Sequence, residues 1–227
     1  MQNRRFLPAL ILFLLLIPLG CNLPAPFFPP TPTATLPASG SLLFEDDFSN
    51  RSTGWDTQSA SQGVMDYHAG GYRMFVNELE ANFWSTPHKD LADVRIEVDE
   101  GKLAGPDENR AGLICRYSGE QFYFFIISHD GFYGIGHFQS SNQTSAGQMD
   151  LIGQSEMEYS PVINRGTNIN HLRADCAGDT LTFYVNGEQI AQVQDPRLKH
   201  GDVGLLAGSF SEPGVDVIFD NFVAVQP

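Results

Sequence analysis

The sequence predicts an all-β chain folded as a two-sheet antiparallel sandwich. Three observations lead there. Asn168 to Asp195 carries two tight-turn signals, Gly178-Asp179 and Asn186-Gly187, each between runs that alternate apolar and polar residues. Asn and Gly tolerate the positive φ that a two-residue hairpin turn demands. The rest of residues 41–227 divides into short runs rich in Val, Ile, Phe and Tyr, punctuated by Gly, Asn and Asp. No stretch sustains a 3.6-residue apolar period, so helices are not expected.

The two turns fix the faces of the central meander. A two-residue loop at 178–179 sets Cys176 opposite Leu181, Ala174 opposite Phe183 and Leu172 opposite Val185. A two-residue loop at 186–187 sets Val185 opposite Glu188, Phe183 opposite Ile190 and Leu181 opposite Gln192. Leu172, Ala174, Cys176, Leu181, Phe183, Val185 and Ile190 then point inward, while Arg173, Asp175, Thr182, Tyr184 and Gln189 point out. A slip of one residue would invert the pattern, so the agreement between the two hairpins is informative.

Taken in order, Ser41–Asn50 reads as a first strand with an acidic end, and Trp55 follows a turn at Ser52-Thr53-Gly54. Residues 64–76 form a hairpin around His68-Ala69-Gly70-Gly71, and Phe83-Trp84 opens a short strand. Residues 93–103 alternate Val94, Ile96 and Val98 with Arg95, Glu97 and Asp99, a strand with one polar face. After a polar loop at 105–110, GLICRYS, QFYFFIIS and FYGIGHFQ are three strands joined at Gly119-Glu120 and Asp130-Gly131. A two-residue loop at 130–131 pairs Ile127 with Gly134, Phe125 with Gly136 and Tyr123 with Phe138. Phe124, Ile126, Ser128, Tyr133, Ile135 and His137 then share the opposite face. Glycines opposite bulky partners leave room for rings. Residues 140–147 are a polar loop, and 148–164 are less periodic. Strands at 201–210 and 215–225 close the domain. About a dozen short strands suit a sandwich.

The N-terminus has a different character. Arg4 and Arg5 precede an apolar run, Phe6–Leu19, shorter than the ~20 residues of a spanning helix. This is the layout of an export signal over residues 1–20. Gly20-Cys21 resembles the lipobox of bacterial lipoproteins, although Pro18 and Leu19 stand where that family prefers Leu and a small residue. The resemblance implies lipidation at Cys21 and an extracytoplasmic, lipid-anchored protein. A plain secretory signal is the alternative. Residues 21–40, rich in Pro, Thr and Ala, cannot bury enough apolar surface to fold and read as an extended linker. Residues 41–227 are one domain.

An exported chain sits in a disulfide-permissive space. Cys176 points inward and Cys115 alternates with Leu113 and Tyr117. A Cys115–Cys176 disulfide is expected, with two separate buried thiols as the alternative. The net charge of −14 argues against nucleic acid and anionic lipid as partners. It is compatible with a neutral glycan or with calcium.

GLICRY, FYFFIISHDGFYGIGHF and NINHLRADCAGDTLTFYVNGEQIAQV, with FEDDFSN answered by the closing VIFDNFVAV, resemble laminin-G-like and concanavalin A-like jelly rolls. They are similar in particular to domains of bacterial lipoproteins related to a 3-keto-disaccharide hydrolase domain. The resemblance implies a jelly-roll sandwich whose terminal strands pair with each other. It leaves function open among lectin, glycan hydrolase and interaction module for another envelope protein.

Glycan hydrolysis needs two carboxylates at a cleft. The laminarinase branch of the fold carries Glu-x-Asp-x-x-Glu. Glu97-Val98-Asp99 begins that pattern, but Lys102 stands where the second Glu belongs. No serine-hydrolase elbow is present, and His129, His137 and His171 have no metal or nucleophile spacing. Sugar binding is the favoured reading: rings stack on exposed aromatics and planar polar groups bond the hydroxyls. The expected ligand face carries Arg116, Tyr133, His137, Arg173, Asp175 and Tyr184. Trp55 and Trp84 are read as core rather than as platforms. Asp46 and Asp47 end the first strand and Asp220 lies in the last; if the strands are neighbours, these carboxylates converge as a structural calcium site.

Overall fold

The computed structural model describes residues 40–141 and 147–227. The expected export signal, Cys21, nearly all of the expected linker and most of the loop expected at 140–147 lie outside the described residues.

Sixteen strands lie among the described residues. In chain order they are β1 (Leu42–Asp46), β2 (Gln58–Ala60), β3 (Gly63–His68), β4 (Gly71–Val76), β5 (Asn82–Ser85), β6 (Val94–Ala104), β7 (Asn109–Tyr117) and β8 (Gln121–Ile127). Then come β9 (Phe132–Ser140), β10 (Gly147–Leu151), β11 (Glu158–Tyr159), β12 (Asn170–Ala177), β13 (Thr180–Val185), β14 (Glu188–Gln194), β15 (Asp202–Ser209) and β16 (Val215–Val225). No helix occurs among the described residues. The larger sheet runs β14-β13-β12-β6-β16-β4-β3-β2, with β1 also paired to β16. The smaller runs β10-β9-β8-β7-β15-β5, with β11 on β9. The first and last strands meet antiparallel, Leu42 opposite Val225 and Asp46 opposite Phe222.

The main core lies between the sheets. Val94, Ile96 and Val98 of β6 and Leu172, Ala174 and Cys176 of β12 are fully buried, as are Leu181, Phe183 and Val185 of β13. Phe125, Ile127, Ile135 and Leu205 face them from the smaller sheet. Phe125 and Phe183 meet edge to face, centroids 5.8 Å apart. Each large side chain so buried contributes about 1.5–3 kcal/mol. A disulfide joins Cys115 of β7 to Cys176 of β12, one strand from each sheet. Trp55 is buried among Phe48, Tyr72 and Phe222 and donates from Nε1 to Asp46 at 2.9 Å.

Two register expectations need correction. The loop at Asp130-Gly131 has three residues, not two. Ser128 N donates to Phe132 O at 2.8 Å, Gly131 N donates back to Ser128 O at 2.9 Å, and Gly131 takes φ 106°. This is the three-residue hairpin with a positive-φ glycine at its end. The slip moves every partner: Ile127 faces Tyr133, Phe125 faces Ile135, Tyr123 faces His137 and Phe124 faces Gly136. The second correction is a bulge in β14. Tyr184 pairs with Gln189 but Phe183 pairs with Ala191, so Ile190 is the extra residue and Leu181 faces Val193. Ile190 still packs, partly buried, against the core.

The outward face of the smaller sheet is itself a core. Ile114, Phe122, Phe124, Ile126, Phe138 and Leu206 are at most 2% exposed there. Trp84 of β5 reaches Phe138 of β9, four strands away in sheet order, at 5.1 Å. Flat strands that far apart would be separated by about 19 Å, so the sheet curls around this cluster. Glycine makes the curl possible: a Cβ on Gly136 would lie 2.1 Å from Phe124 Cζ.

Candidate functional site

The six residues expected to share a ligand face divide among three places. Arg173, Asp175 and Tyr184 do lie together on the outer face of the larger sheet, where Arg173 pairs with Tyr184 and with Glu97, and Asp175 with Arg95. Their functional groups are turned on one another. Arg173 donates to Asp175 from Nε at 2.9 Å, Arg95 donates to the same carboxylate at 3.0 Å, and the Arg173 guanidinium covers the Tyr184 ring at 4.2 Å. The ring face a sugar would need is already occupied. Beside them His171 bonds Asp99 through Nδ1 at 2.8 Å and lies 3.4 Å from Glu97 through Nε2. These carboxylates raise its pKa to about 9.

Tyr133 and His137 are on the inner face of β9, a consequence of the corrected loop. Tyr133 donates to Glu158 at 2.9 Å. His137 is buried against Tyr123, and that burial lowers its pKa. Arg116 is 1% exposed at a positive-φ position. It donates from Nη1 to Gly178 O at 2.8 Å and to Leu198 O at 2.6 Å. Arg116 is therefore a staple between loops, not part of an open ligand face.

One of those loops forms the wall of an open cleft of about 470 Å³ at one end of the sandwich. Tyr117, Ser118 and Gln121 of the β7–β8 turn line one side. Arg197, Lys199 and His200 of the β14–β15 loop line the other, with Lys89 and Asp202. Arg197 is held in place from behind. Tyr123 donates its hydroxyl proton to Asp195 at 2.6 Å, Asp195 accepts from Arg197 N and Nε at 2.9 Å, and Leu198 N donates to the Tyr123 oxygen at 3.0 Å. Burial, reinforced by that bond, pushes the Tyr123 phenol up to about 12, so it stays a donor. Burial alone would raise the Asp195 carboxyl, but hydrogen bonds from Arg197 and Tyr123 hold it well below the usual range. Lys199 pairs with Asp179, and His200 bonds Asp90 at 2.7 Å. The cleft thus presents oriented donors and acceptors, with Arg197, Lys199 and His200 each set against a carboxylate, an arrangement able to bond a polyhydroxylated ligand. Sequence reasoning missed it. The available signal was Arg197, Lys199 and His200 within four residues of an acidic chain.

The expected calcium trio is not assembled as a ligand set. Asp46 and Asp47 line a second depression, of about 460 Å³, with Glu45, Asn50 and Asn221. Asp46 already accepts from Phe48 N and Trp55 Nε1, and Asp47 accepts from Ser49. Asp220 lies beside Asp99 in the pairing of β16 with β6. Burial, then the charges of Asp99, Asp47 and Asp46, raise its pKa to about 6. Among the described residues no three His, Cys, Asp or Glu side chains are grouped to hold a metal ion. Lys102 is buried and pairs with Asp107, away from Glu97 and Asp99.

Comparison with solved structures places this architecture. A carbohydrate-binding module, CBM66 from Bacillus subtilis, superposes with a TM-score of 0.57 at 16% identity, over 76% of this chain and 95% of that one. A Bacteroides ovatus mixed-linkage glucan GH16 protein, bound to product, superposes with 0.57 at 9% identity, over 81% and 100%. The chain has the concanavalin A-like jelly-roll fold. The kappa-carrageenase from Pseudoalteromonas carrageenovora, in complex with an oligotetrasaccharide, shares it with 0.57 at 12% identity, over 87% and 99%. No protein-family model and no curated protein matches the sequence. At these identities the jelly roll is what is shared.

Proposed function

We propose that this chain is an exported protein, anchored through a lipid on Cys21, that displays a glycan-binding jelly roll on a Pro/Thr stalk. The cleft between Tyr117, Gln121, Arg197 and His200 takes a neutral sugar. The observation that carries this reading is the chain Tyr123–Asp195–Arg197. It fixes a planar guanidinium at the cleft wall, with Nη1 in no hydrogen bond among the described residues. A preorganised donor loses little entropy when a hydroxyl docks on it. Jelly rolls of the same fold include a carbohydrate-binding module and proteins bound to oligosaccharides, which supports the ligand class.

Hydrolysis has less support. Glu97 and Asp99 share one histidine, and Lys102 interrupts the carboxylate pattern. The test is a neutral-glycan array probed with the protein and with Arg197→Ala and Gln121→Ala variants. Binding to one sugar class that both variants abolish is the expected result. Binding that survives both variants would remove the cleft from consideration, and silence of the wild type would turn attention to an envelope protein partner. The anchor is tested separately: Cys21→Ser should move the protein from the detergent phase to the aqueous phase.

A further inference from the structure

Far from the cleft, the surface carries an aromatic pair that the fold does not need. Tyr159 of β11 faces Phe132 of β9 across the edge of the smaller sheet, with ring centroids 5.8 Å apart at 73°. They are 54% and 38% exposed, the two aromatics among the exposed large hydrophobic residues described. Two rings left together in water forgo the burial that aromatics usually gain.

The Tyr159 ring is held in place. Its Cδ2–Cε2 edge rests on the loop at Gly131, where an added Cβ would come within 2.8 Å of Cε2. Ser160 N donates to Gly131 O at 2.9 Å, and Gly166 N donates to His129 O at 2.9 Å. The segment that carries the ring is thereby tied to the β8–β9 loop at two points.

A second observation points independently to a ligand. Arg165 sits on the same loop, its Cδ 3.3 Å from the Cβ position of Gly131. Every other described arginine and lysine side chain has an ion pair, a hydrogen bond or a ring to cover. Arg165 has none among the described residues, in a chain of net charge −14. The nearby carboxylate of Glu158 accepts from Tyr133 instead. An exposed arginine beside exposed tyrosine is the composition of a binding hot spot.

We propose that Tyr159, Phe132 and Arg165 form a second platform, for a sugar unit that bears a carboxylate or a sulfate. The C–H face of a sugar ring is apolar and packs on the tyrosine ring, while hydroxyls project around its rim. The planar guanidinium of Arg165 accommodates an anionic substituent with two parallel hydrogen bonds. An apolar peptide fits less well, because the patch is two rings and a cation rather than a groove. The platform goes beyond the cleft reading and does not depend on it. The two lie toward opposite ends of β8, which at seven residues separates them by about 20 Å.

The test is affinity electrophoresis of the full chain in gels containing polygalacturonate, dextran sulfate or neutral laminarin. Wild-type protein is expected to be retarded by at least one anionic polymer. Retardation by polygalacturonate alone assigns a carboxylate ligand, and by dextran sulfate alone a sulfate. Tyr159→Ala and Arg165→Gln should each weaken it about tenfold. Both positions are exposed, so the melting temperature of each variant should match wild type. Arg197→Ala separates the two sites: it strikes neutral-glycan binding in the cleft and leaves anionic retardation in place. No retardation by either anionic polymer, or retardation that survives both Tyr159→Ala and Arg165→Gln, overturns the platform whatever the cleft does.

Discussion

The Tyr123 hydroxyl lies 2.6 Å from the Asp195 carboxylate, and that carboxylate orients Arg197 at the cleft wall. Tyr123 stands on the inner face of β8, while Arg197 belongs to a loop. One phenol thus ties a rigid strand to the loop that shapes the cleft.

Tyr123→Phe removes that bond and leaves the ring. A buried hydrogen bond to a charged group contributes about 2 kcal/mol, and urea denaturation should register a loss of that order. Neutral-glycan binding should weaken as well, because Arg197 loses the anchor behind its partner. An unchanged denaturation midpoint would show that Asp195 is held well enough by Arg197 alone.

His171 gives the domain a stability that depends on pH. Its folded-state pKa of about 9, raised by Asp99 and Glu97, exceeds the unfolded value of 6.5. The native state therefore holds the proton more tightly. This contribution is complete below pH 6.5 and is lost as pH rises through about 9. Denaturation series at stepped pH should show stability falling across that window, and His171→Gln should flatten the fall.

The Cys115–Cys176 bridge closes a separation of 61 residues. Chain entropy puts its contribution at about 4 kcal/mol. Reduction, or replacement of both cysteines by alanine, should lower the melting temperature by about 10 °C. Thermal melts with and without reductant read this directly.

Gly136→Ala tests the curl of the smaller sheet. The new Cβ would lie 2.1 Å from Phe124 Cζ and 2.5 Å from the Asp150 carbonyl oxygen. The phenylalanine ring can turn, but the β10 backbone cannot yield without breaking its pairing to β9. A loss of about 1–3 kcal/mol is expected, measured as a shift of the urea midpoint. A neutral result would mean that β10 moves freely.

The sequence by itself determined the class of fold, most of the strands and the inward face of the central meander. Those follow from local chemistry. Period-two alternation and the positive-φ turns at Gly178 and Asn186-Gly187 act within a few residues of each other. The Asp130-Gly131 turn marks the limit of that legibility. The same dipeptide closes a two-residue or a three-residue loop, and here Gly131 closes the longer one. That single residue inverted the faces of β9 and carried Tyr133 and His137 inside. Only the tertiary structure decided where ligands can sit. Arg173 and Tyr184 were expected to be open and are covered by each other. Arg197 is locally one basic residue among several, yet Tyr123, some seventy positions away in the chain, makes it a fixed donor. Tyr159, Phe132 and Arg165 stand out only once every other described Phe, Tyr and Trp ring is seen to be buried or half-buried and every other described cation to be paired or covering a ring. Exposure and pairing are properties of the whole packing, and no run of a few residues encodes them.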